Sequence, residues 1–147
     1  MEKKYYIAYG SNLNMAQMAY RCPDAEPVYK GYLKDYELFY AGSRSGNYAT
    51  IRNKKGAITP IGIWKISKRD EVALDRYEGY PVFYYKEILK LTIGGKKIEA
   101  IVYIMRKDAK EGMPTKRYVD IVREGYNDFE LDEKYLDESL IRKVVFK

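Results

Sequence analysis

The chain contains no histidine, and this absence restricts its chemistry more than any other feature of its composition. Ser-His-Asp and Cys-His catalysis are excluded, as are the usual zinc sites, because all of them need an imidazole or several thiolates. If the chain is an enzyme that works near neutral pH, its protons must be moved by Asp, Glu, Lys or Tyr side chains.

Cysteine is nearly absent too, since Cys22 is the only one. A single cysteine excludes an intrachain disulfide framework and fits a reducing compartment, so we expect a cytoplasmic protein. Cys22 falls on the apolar face of a predicted helix, which favours a place in the core. The N-terminal residues MEKKYYIAYG lack the apolar region and cleavage site of a signal peptide, and no apolar run reaches the length of a membrane span. We therefore expect no membrane partner.

The length of 147 residues suits one domain over residues 1–147, with no internal repeat or low-complexity tract. Predicted strands outnumber predicted helices, and the clearest pair is an antiparallel hairpin around Gly94-Gly95. The sequence therefore predicts an α+β fold, with a small mixed, mainly antiparallel β-barrel and surrounding helices. The predicted strands are residues 5–9, 32–41, 48–52, 58–66, 84–93 and 98–105, and the predicted helices begin near residues 14, 68, 115 and 132. Residues 25–31 are predicted as a linker, 42–47 as a loop, 54–56 as a turn and 132–143 as the last helix.

The first strand leads through the turn Gly10-Ser11-Asn12 into a helix that ends at Pro23. Such a turn presents unpaired backbone N–H groups at a helix N-terminus beside Ser and Asn side chains, which suits a carboxylate or a phosphate. The alternative is that Ser11, Asn12 or Asn14 simply caps the helix.

Glu78 is the carboxylate that we single out as a candidate acid/base. It lies four residues after Leu74, so both share the inward face of a helix that Gly79 ends. Burial and the negative end of the helix dipole are both expected to raise its pKa, and a glutamate of that kind exchanges protons near pH 7. The alternative is a solvent-exposed carboxylate at a fraying helix end. Tyr84 and Tyr85 follow on the next strand, where alternation directs only one of them to the side of Glu78.

Net charge is +6, and basic residues cluster in the first half of the chain at Arg44, Arg52, Lys54 and Lys55. With interleaved tyrosines such a cluster could bind single-stranded nucleic acid. A solvated hairpin tip explains the cluster more simply, and residues 124–138 are rich in acid, so no nucleic-acid partner is expected.

Three segments together resemble the γ-glutamylcyclotransferase-like family, over residue 5 to about residue 131. They are Tyr9-Gly10-Ser11-Asn12-Leu13, Ala49-Thr50-Ile51 and Leu74-Asp75-Arg76-Tyr77-Glu78-Gly79-Tyr80-Pro81, with Gly62 beginning the G-x-W-type strand before the second helix. The resemblance implies a small barrel whose loop and glutamate line one cavity. It also implies a small-molecule γ-glutamyl substrate, which cyclises to 5-oxoproline and releases an amine or amino acid without a metal or cofactor.

The same resemblance assigns roles to residues of this chain. Glu78 matches the catalytic acid/base, and the substrate-binding positions are Tyr9, Gly10, Ser11, Asn12, Leu13, Tyr118 and Tyr85, with Tyr84 in its place if the register differs. A domain of this fold that binds a small molecule without turnover remains the main alternative. The identity of the γ-glutamyl compound and the oligomeric state are left open by the sequence.

Overall fold

The computed structural model describes residues 3–43 and 45–141 of the chain. The strands in these residues are β1 (Lys4–Ala8), β2 (Glu26–Ser43), β3 (Gly46–Ile66), β4 (Tyr84–Ile93), β5 (Lys96–Met105) and β6 (Lys110–Glu111). They form one sheet in the order β4-β5-β1-β3-β2-β6. β1 pairs in parallel with β5, and every other neighbouring pair is antiparallel.

Four α-helices in the described residues accompany the sheet: α1 (Met15–Arg21), α2 (Lys68–Glu78), α3 (Lys116–Asp128) and α4 (Lys134–Ser139). A 3₁₀-helix, Ser11–Leu13, lies between β1 and α1. Local signals define α2 well, because Ser67 and Asp70 form a capping box and Gly79 ends the helix at a φ of 65°. None of the helices in the described part of the chain is long and apolar enough to cross a membrane.

The sheet is strongly curled, and its two faces bury two separate apolar cores. On the concave face, β2 approaches β4 from nearly the other end of the sheet, since a Cβ on Gly31 would lie 3.3 Å from Cδ1 of Ile93. Ile7 and Val102 point into this core, whereas their neighbours Tyr6 and Tyr103 point to the convex face. There the helices cover the sheet with Met18, Leu74, Val122 and Leu136. The predicted α+β fold with a mixed, barrel-like sheet is confirmed.

Several predicted boundaries were wrong, and long-range pairing explains most of the errors. Residues 26–31, predicted as part of a linker, begin β2 because they pair with β3 from Lys65 to Ile61. Residues 54–56 are a bulge within β3 and not a chain reversal, and the amide of Gly56 donates to Oδ1 of Asp35 at 2.9 Å. The predicted loop 42–47 contains ladder pairs, Gly42 with Asn47 and Ser43 with Gly46.

Two further differences concern the C-terminal third. The short strand β6 pairs with β2, and the sequence carries no clear signal for so brief an element. The last helix ends at Ser139 and therefore is shorter than the predicted span 132–143, whose residues 142 and 143 lie outside the described residues. Cys22 is buried as predicted, with 1% of its surface exposed.

Candidate active site

The end of β1 and the end of α2 open onto one cavity of about 340 Å³. Glu78, Ser11 and Asn12 line it, although the helix and the turn that carry them are remote along the chain. The remaining wall is largely aromatic and comprises Tyr6, Tyr9, Gly10, Ser45, Tyr48, Ala49, Tyr77, Phe83, Tyr84, Tyr103 and Tyr118. The glutamate and the turn singled out from the sequence thus face a common space.

Glu78 is the last residue of α2, and its carboxylate is partly buried at the cavity wall. Nδ2 of Asn12 lies 3.4 Å from its Oε1 and donates a long hydrogen bond to it. Burial raises the pKa of Glu78 to about 7, against the opposing effect of the Arg21 cation. The carboxyl group can therefore both accept and release a proton near neutral pH.

Two backbone hydrogen bonds close the turn after β1. Amides of Leu13 and Asn14 donate to the carbonyls of Gly10 and Ser11, both at 3.0 Å. The helix-capping function falls to Asn14, whose side chain accepts from the amide of Gln17 at 3.0 Å. Capping thus accounts for Asn14, while Ser11 and Asn12 face the cavity instead.

Leu13 does not line the cavity, contrary to its place among the predicted binding residues. Its side chain is fully buried in the core beneath the helices, and its amide is the one that closes the turn on Gly10. Leu13 therefore anchors the turn to the core on the side away from the cavity.

Helix α3 and β3 hold this turn from two sides. The side chain of Asn14 donates to the carbonyl of Ile121 at 3.0 Å, and the amide of Met15 donates to Asp128 at 2.8 Å. Nε1 of Trp64 donates to the carbonyl of Asn12 at 2.9 Å. The backbone of the turn is therefore fixed by groups on separate elements, which is the kind of support that a preorganised binding loop needs.

Two predicted tyrosines meet at Ala49, the first residue of the segment Ala49-Thr50-Ile51. The Tyr84 hydroxyl donates to the Ala49 carbonyl at 2.8 Å, and the Ala49 amide donates to the Tyr118 hydroxyl at 3.1 Å. Tyr9 donates to the carbonyl of Tyr103 at 2.5 Å. Burial raises the pKa of Tyr9, Tyr84 and Tyr118, so these phenols remain neutral hydrogen-bonding groups.

The structure corrects the preference for Tyr85 over Tyr84. Tyr84 lines the cavity, whereas Tyr85 points to the concave side of the sheet and lines a separate groove with Tyr36. The alternation of β4 separates the two rings, and their register relative to Glu78 is set by the intervening loop.

Seven residues that line the cavity are absent from the predicted site residues: Tyr6, Ser45, Tyr48, Ala49, Tyr77, Phe83 and Tyr103. Tyr6 donates nothing to Glu78 directly but accepts a hydrogen bond from Nδ2 of Asn12 at 2.8 Å. The Tyr77 hydroxyl lies 3.1 Å from Oγ of Ser11. The alternation of β1 gave a signal for Tyr6, since it is the neighbour of Ile7. Tyr77 lies three residues after Leu74 and is predicted on the same inward face of the second helix, whereas no such pattern marked Tyr103.

Comparison with known proteins identifies the family. A family described as "Gamma-glutamyl cyclotransferase, AIG2-like" matches residues 6–125 of the chain. The chain belongs to this family. The human gamma-glutamylcyclotransferase is 28% identical over 146 residues, which cover 93% of this chain and 77% of the human protein. The mouse gamma-glutamylcyclotransferase is 27% identical, with 90% of this chain and 75% of the mouse protein covered.

Solved structures agree with this family assignment. A gamma-glutamyl cyclotransferase structure aligns with a TM-score of 0.85 at 26% identity, covering 94% of this chain and 86% of its own. YkqA from Bacillus subtilis shares the fold at a TM-score of 0.76 and 20% identity, covering 94% of this chain and 53% of its own. The chain thus combines the fold of this family with a cavity whose described lining residues include the carboxyl group of Glu78 and several tyrosine hydroxyl groups.

Two residues of the basic cluster considered for nucleic-acid binding, Arg52 and Lys54, form ion pairs within the chain. Arg52 pairs with Glu37 and Glu111 and lies over the ring of Phe39, and Lys54 pairs with Glu37 at 2.9 Å. Arg44 lies outside the described residues. The described arginine of the cluster therefore stabilises the β2–β3 ribbon and β6.

Proposed function

We propose that the chain converts a γ-glutamyl compound into 5-oxoproline with release of an amine or amino acid, and that Glu78 is the general acid/base. Membership of the family and relatives named gamma-glutamylcyclotransferase support the reaction type. The observation that carries the assignment to Glu78 is its place in one cavity with Ser11 and Asn12, with a pKa of about 7. The buried thiol Cys22 suits a reducing compartment, so we place the reaction in the cytoplasm.

The reaction is an intramolecular aminolysis. The α-amine of the γ-glutamyl group attacks its own side-chain carbonyl, closes a five-membered lactam, and the bond to the leaving nitrogen breaks. The nucleophile and the carbonyl belong to one molecule. The cavity therefore needs only to hold the γ-glutamyl side chain of the substrate folded back, so that its α-amine lies next to its γ-carbonyl carbon. No nucleophile of the protein enters the bond changes.

Proton transfer is the part that the protein must supply. As the amine attacks it becomes acidic, and the departing nitrogen must be protonated before it can leave. Glu78 in its carboxylate form accepts the first proton and in its carboxylic acid form delivers a proton to the leaving group. A pKa near 7 makes both forms accessible at the working pH.

Substrate binding falls to the turn and to the phenols. The first amides of a 3₁₀-helix have no acceptor within the helix, so Ser11 and Asn12 offer N–H groups that suit the α-carboxylate of the substrate. Neutral Tyr84 and Tyr118 add hydroxyl groups to the same cavity. We expect Asn12→Ala to raise KM, and unchanged kinetics would dismiss a binding role for this residue.

The test is production of 5-oxoproline from a panel of γ-glutamyl amino acids and γ-glutamylamines, measured by chromatography. We expect Glu78→Gln to lower kcat by about 10²–10⁴-fold, since it keeps the shape of the side chain but removes the basic oxygen. Glu99→Gln, at an exposed position on β5, is the matched control and should retain activity. Full activity of Glu78→Gln would exclude the assignment, and substrate binding without 5-oxoproline from any compound would favour the non-catalytic alternative.

A further inference from the structure

Arg21, the last residue of α1, is held in one place although it does not line the cavity. Its guanidinium lies over the ring of Tyr77, 3.5 Å from the ring centroid, and Nη2 donates to Oε1 of Gln17 at 3.0 Å. Its Nη1 donates to Oδ1 of Asn12. Within residues 3–43 and 45–141, no carboxylate oxygen lies close enough to Arg21 to form an ion pair. An ordinary surface salt bridge is therefore not the reason for this arrangement.

The contact with Asn12 decides how that side chain is oriented. A guanidinium has donors only, so the amide atom facing it must be the oxygen, and Nδ2 is turned to the other side. There Nδ2 donates to the Tyr6 hydroxyl at 2.8 Å and to Oε1 of Glu78 at 3.4 Å. With the amide reversed, its oxygen would face the carboxylate of Glu78, which repels it.

The Tyr77 ring links the same arginine to the other polar residue of the turn. While Arg21 covers the face of the ring, the Tyr77 hydroxyl contacts Oγ of Ser11 at 3.1 Å. Stacking on a tyrosine also restricts the guanidinium to one plane, which a lysine ammonium could not reproduce. One side chain outside the cavity thus fixes the two polar side chains of the turn that face it.

We propose that Arg21 is a positioning residue, which orients the amide of Asn12 so that Nδ2 faces Glu78 and keeps the carboxylate in place for proton transfer. This inference rests on the proposed function for the role of Glu78, but the orientation itself can be measured without turnover. In this positioning role Arg21 acts through Asn12, since it is not among the residues that line the cavity.

The charge of Arg21 adds a second, separable effect on Glu78. The groups that face or act electrostatically on this carboxyl are Arg21 from α1, Tyr6 and Tyr9 from β1 and the turn, Tyr84 from β4 and Tyr118 from α3. The four phenols are neutral, which leaves Arg21, among the residues that the structure describes, as the cation that favours the carboxylate form of Glu78. Removing the charge should therefore move the titration of Glu78 to higher pH.

Two substitutions separate these effects. Arg21→Met keeps the length of the side chain but loses charge and donors, and Arg21→Lys keeps the charge but loses the fork and the stacking plane. We expect kcat to fall about 10-fold or more in both variants. Methionine has no donor for Oδ1 of Asn12, and lysine lacks the fork that binds Asn12 and Gln17 at the same time. The acid limb of kcat/KM should move to higher pH in Arg21→Met and stay close to wild type in Arg21→Lys. Arg76→Met, an exposed arginine one residue before Tyr77, is the matched control and should leave kcat and the pH profile unchanged.

A double-mutant cycle then tests the route through Asn12. If Arg21 acts by orienting Asn12, Arg21→Met should have little further effect on kcat in an Asn12→Ala background. Additive losses would overturn the proposal, as would wild-type kcat and pH dependence in Arg21→Met. If Arg21→Met does not fold, the same cycle is measured with Arg21→Lys and Asn12→Ala. A small further loss of kcat would again support the proposal, and additive losses would overturn it.

A readout independent of turnover keeps this inference distinct from the proposed function. The Glu78 carboxyl carbon can be titrated by NMR in wild type and in Arg21→Met, and the Asn12 side-chain amide protons can be followed in the same samples. We expect the Glu78 midpoint to rise and the Asn12 amide signals to shift, whereas unchanged signals would refute the positioning role. Activity loss in Glu78→Gln tests only the proposed function, so each idea can fail alone.

Discussion

The side-chain amide of Asn12 and the carboxylate of Glu78 lie 3.4 Å apart, although 66 positions of sequence separate them. Each belongs to a short motif that is weak on its own, one at the end of a strand and one at the end of a helix. Because Asn12 and Glu78 lie in one cavity, the strand end and the helix end form a single site. This arrangement also means that the protonation of Glu78 and the orientation of Asn12 depend on each other.

The pH dependence of catalysis should reveal the raised pKa of Glu78. We expect kcat/KM to rise with pH through an inflection near 7, because only the carboxylate can accept the proton of the attacking amine. The substrate's own amino group titrates at higher pH and gives a separate limb. Initial rates between about pH 3.5 and 9 measure both, and a limb near pH 4.5 would show an ordinary, solvated glutamate.

Folding stability should respond to the same carboxyl group. Between about pH 4.5 and 7, the folded chain keeps a proton on Glu78 that the unfolded chain has released. In this pH range the folded state binds one more proton than the unfolded state. The free energy of unfolding therefore decreases as the pH rises from 4.5 to 7. Glu78→Gln removes the effect, so the stability of this variant relative to wild type should increase from pH 4 to pH 8 by about 2 kcal/mol. This figure is already discounted for the partial contact of Glu78 with solvent.

Urea unfolding at pH 4, 6 and 8 measures this difference, with Glu99→Gln as the exposed control. Parallel stability profiles for wild type and Glu78→Gln would show that the carboxyl titrates alike in both states. That result would also remove the physical basis for general acid/base catalysis near neutral pH.

The neighbouring tyrosines of β4 should behave differently when each loses its hydroxyl. Tyr84→Phe leaves the buried Ala49 carbonyl without its donor and should cost about 1–3 kcal/mol of stability and at least 10-fold in kcat/KM. Tyr85→Phe alters a ring on the concave side, away from the cavity, and should leave kcat/KM near wild type. Steady-state kinetics on the pair decides the matter, and a larger loss in Tyr85→Phe would reverse our assignment.

Local signals predicted Glu78 because its position depends on one helix. The capping box at Ser67, the spacing from Leu74 and the terminal Gly79 all act within one or two turns. The choice between Tyr84 and Tyr85 could not be made that way. Alternation shows that the two face opposite sides, but which side meets Glu78 depends on the path of residues 79–83.

Pairing and packing between distant segments explain what the sequence did not reveal. Residues 26–31 contain Pro27 and Gly31 and show no alternation, yet they are extended because β3 pairs with them. An arginine at the end of α1 looks like a solvent-exposed residue, and its partner Tyr77 comes from another helix. Such contacts are properties of the fold and leave no periodic pattern.

Tyr126 offers a test of an unused polar group. Its side chain is fully buried in the core beneath α3, and its hydroxyl has no hydrogen-bond partner among the described residues. Tyr126→Phe should therefore leave the free energy of unfolding unchanged or raise it by about 1 kcal/mol. Tyr40→Phe is the contrast, since the Tyr40 hydroxyl pairs with Ser139 at 2.7 Å and its loss should destabilise. Denaturant unfolding compares them, and clear destabilisation by Tyr126→Phe would reveal a partner for its hydroxyl.

Gly125 lies where α3 approaches the turn most closely. A Cβ at this position would lie 2.6 Å from the backbone nitrogen of Asn14 and equally close to Leu13, so the turn or the helix would have to move. Replacing glycine by alanine inside a helix normally stabilises a protein by about 1 kcal/mol. Here we expect Gly125→Ala to destabilise by about 1–3 kcal/mol, because the clash is with backbone.

The same substitution should lower activity, since Ser11 and Asn12 belong to the turn that would be displaced. We expect kcat/KM to fall more than the folded fraction does at the assay temperature, which unfolding curves and kinetics on one preparation can compare. A stabilised, fully active Gly125→Ala would mean that α3 can withdraw from the turn without consequence. The cavity would then not depend on the contact between α3 and Leu13-Asn14.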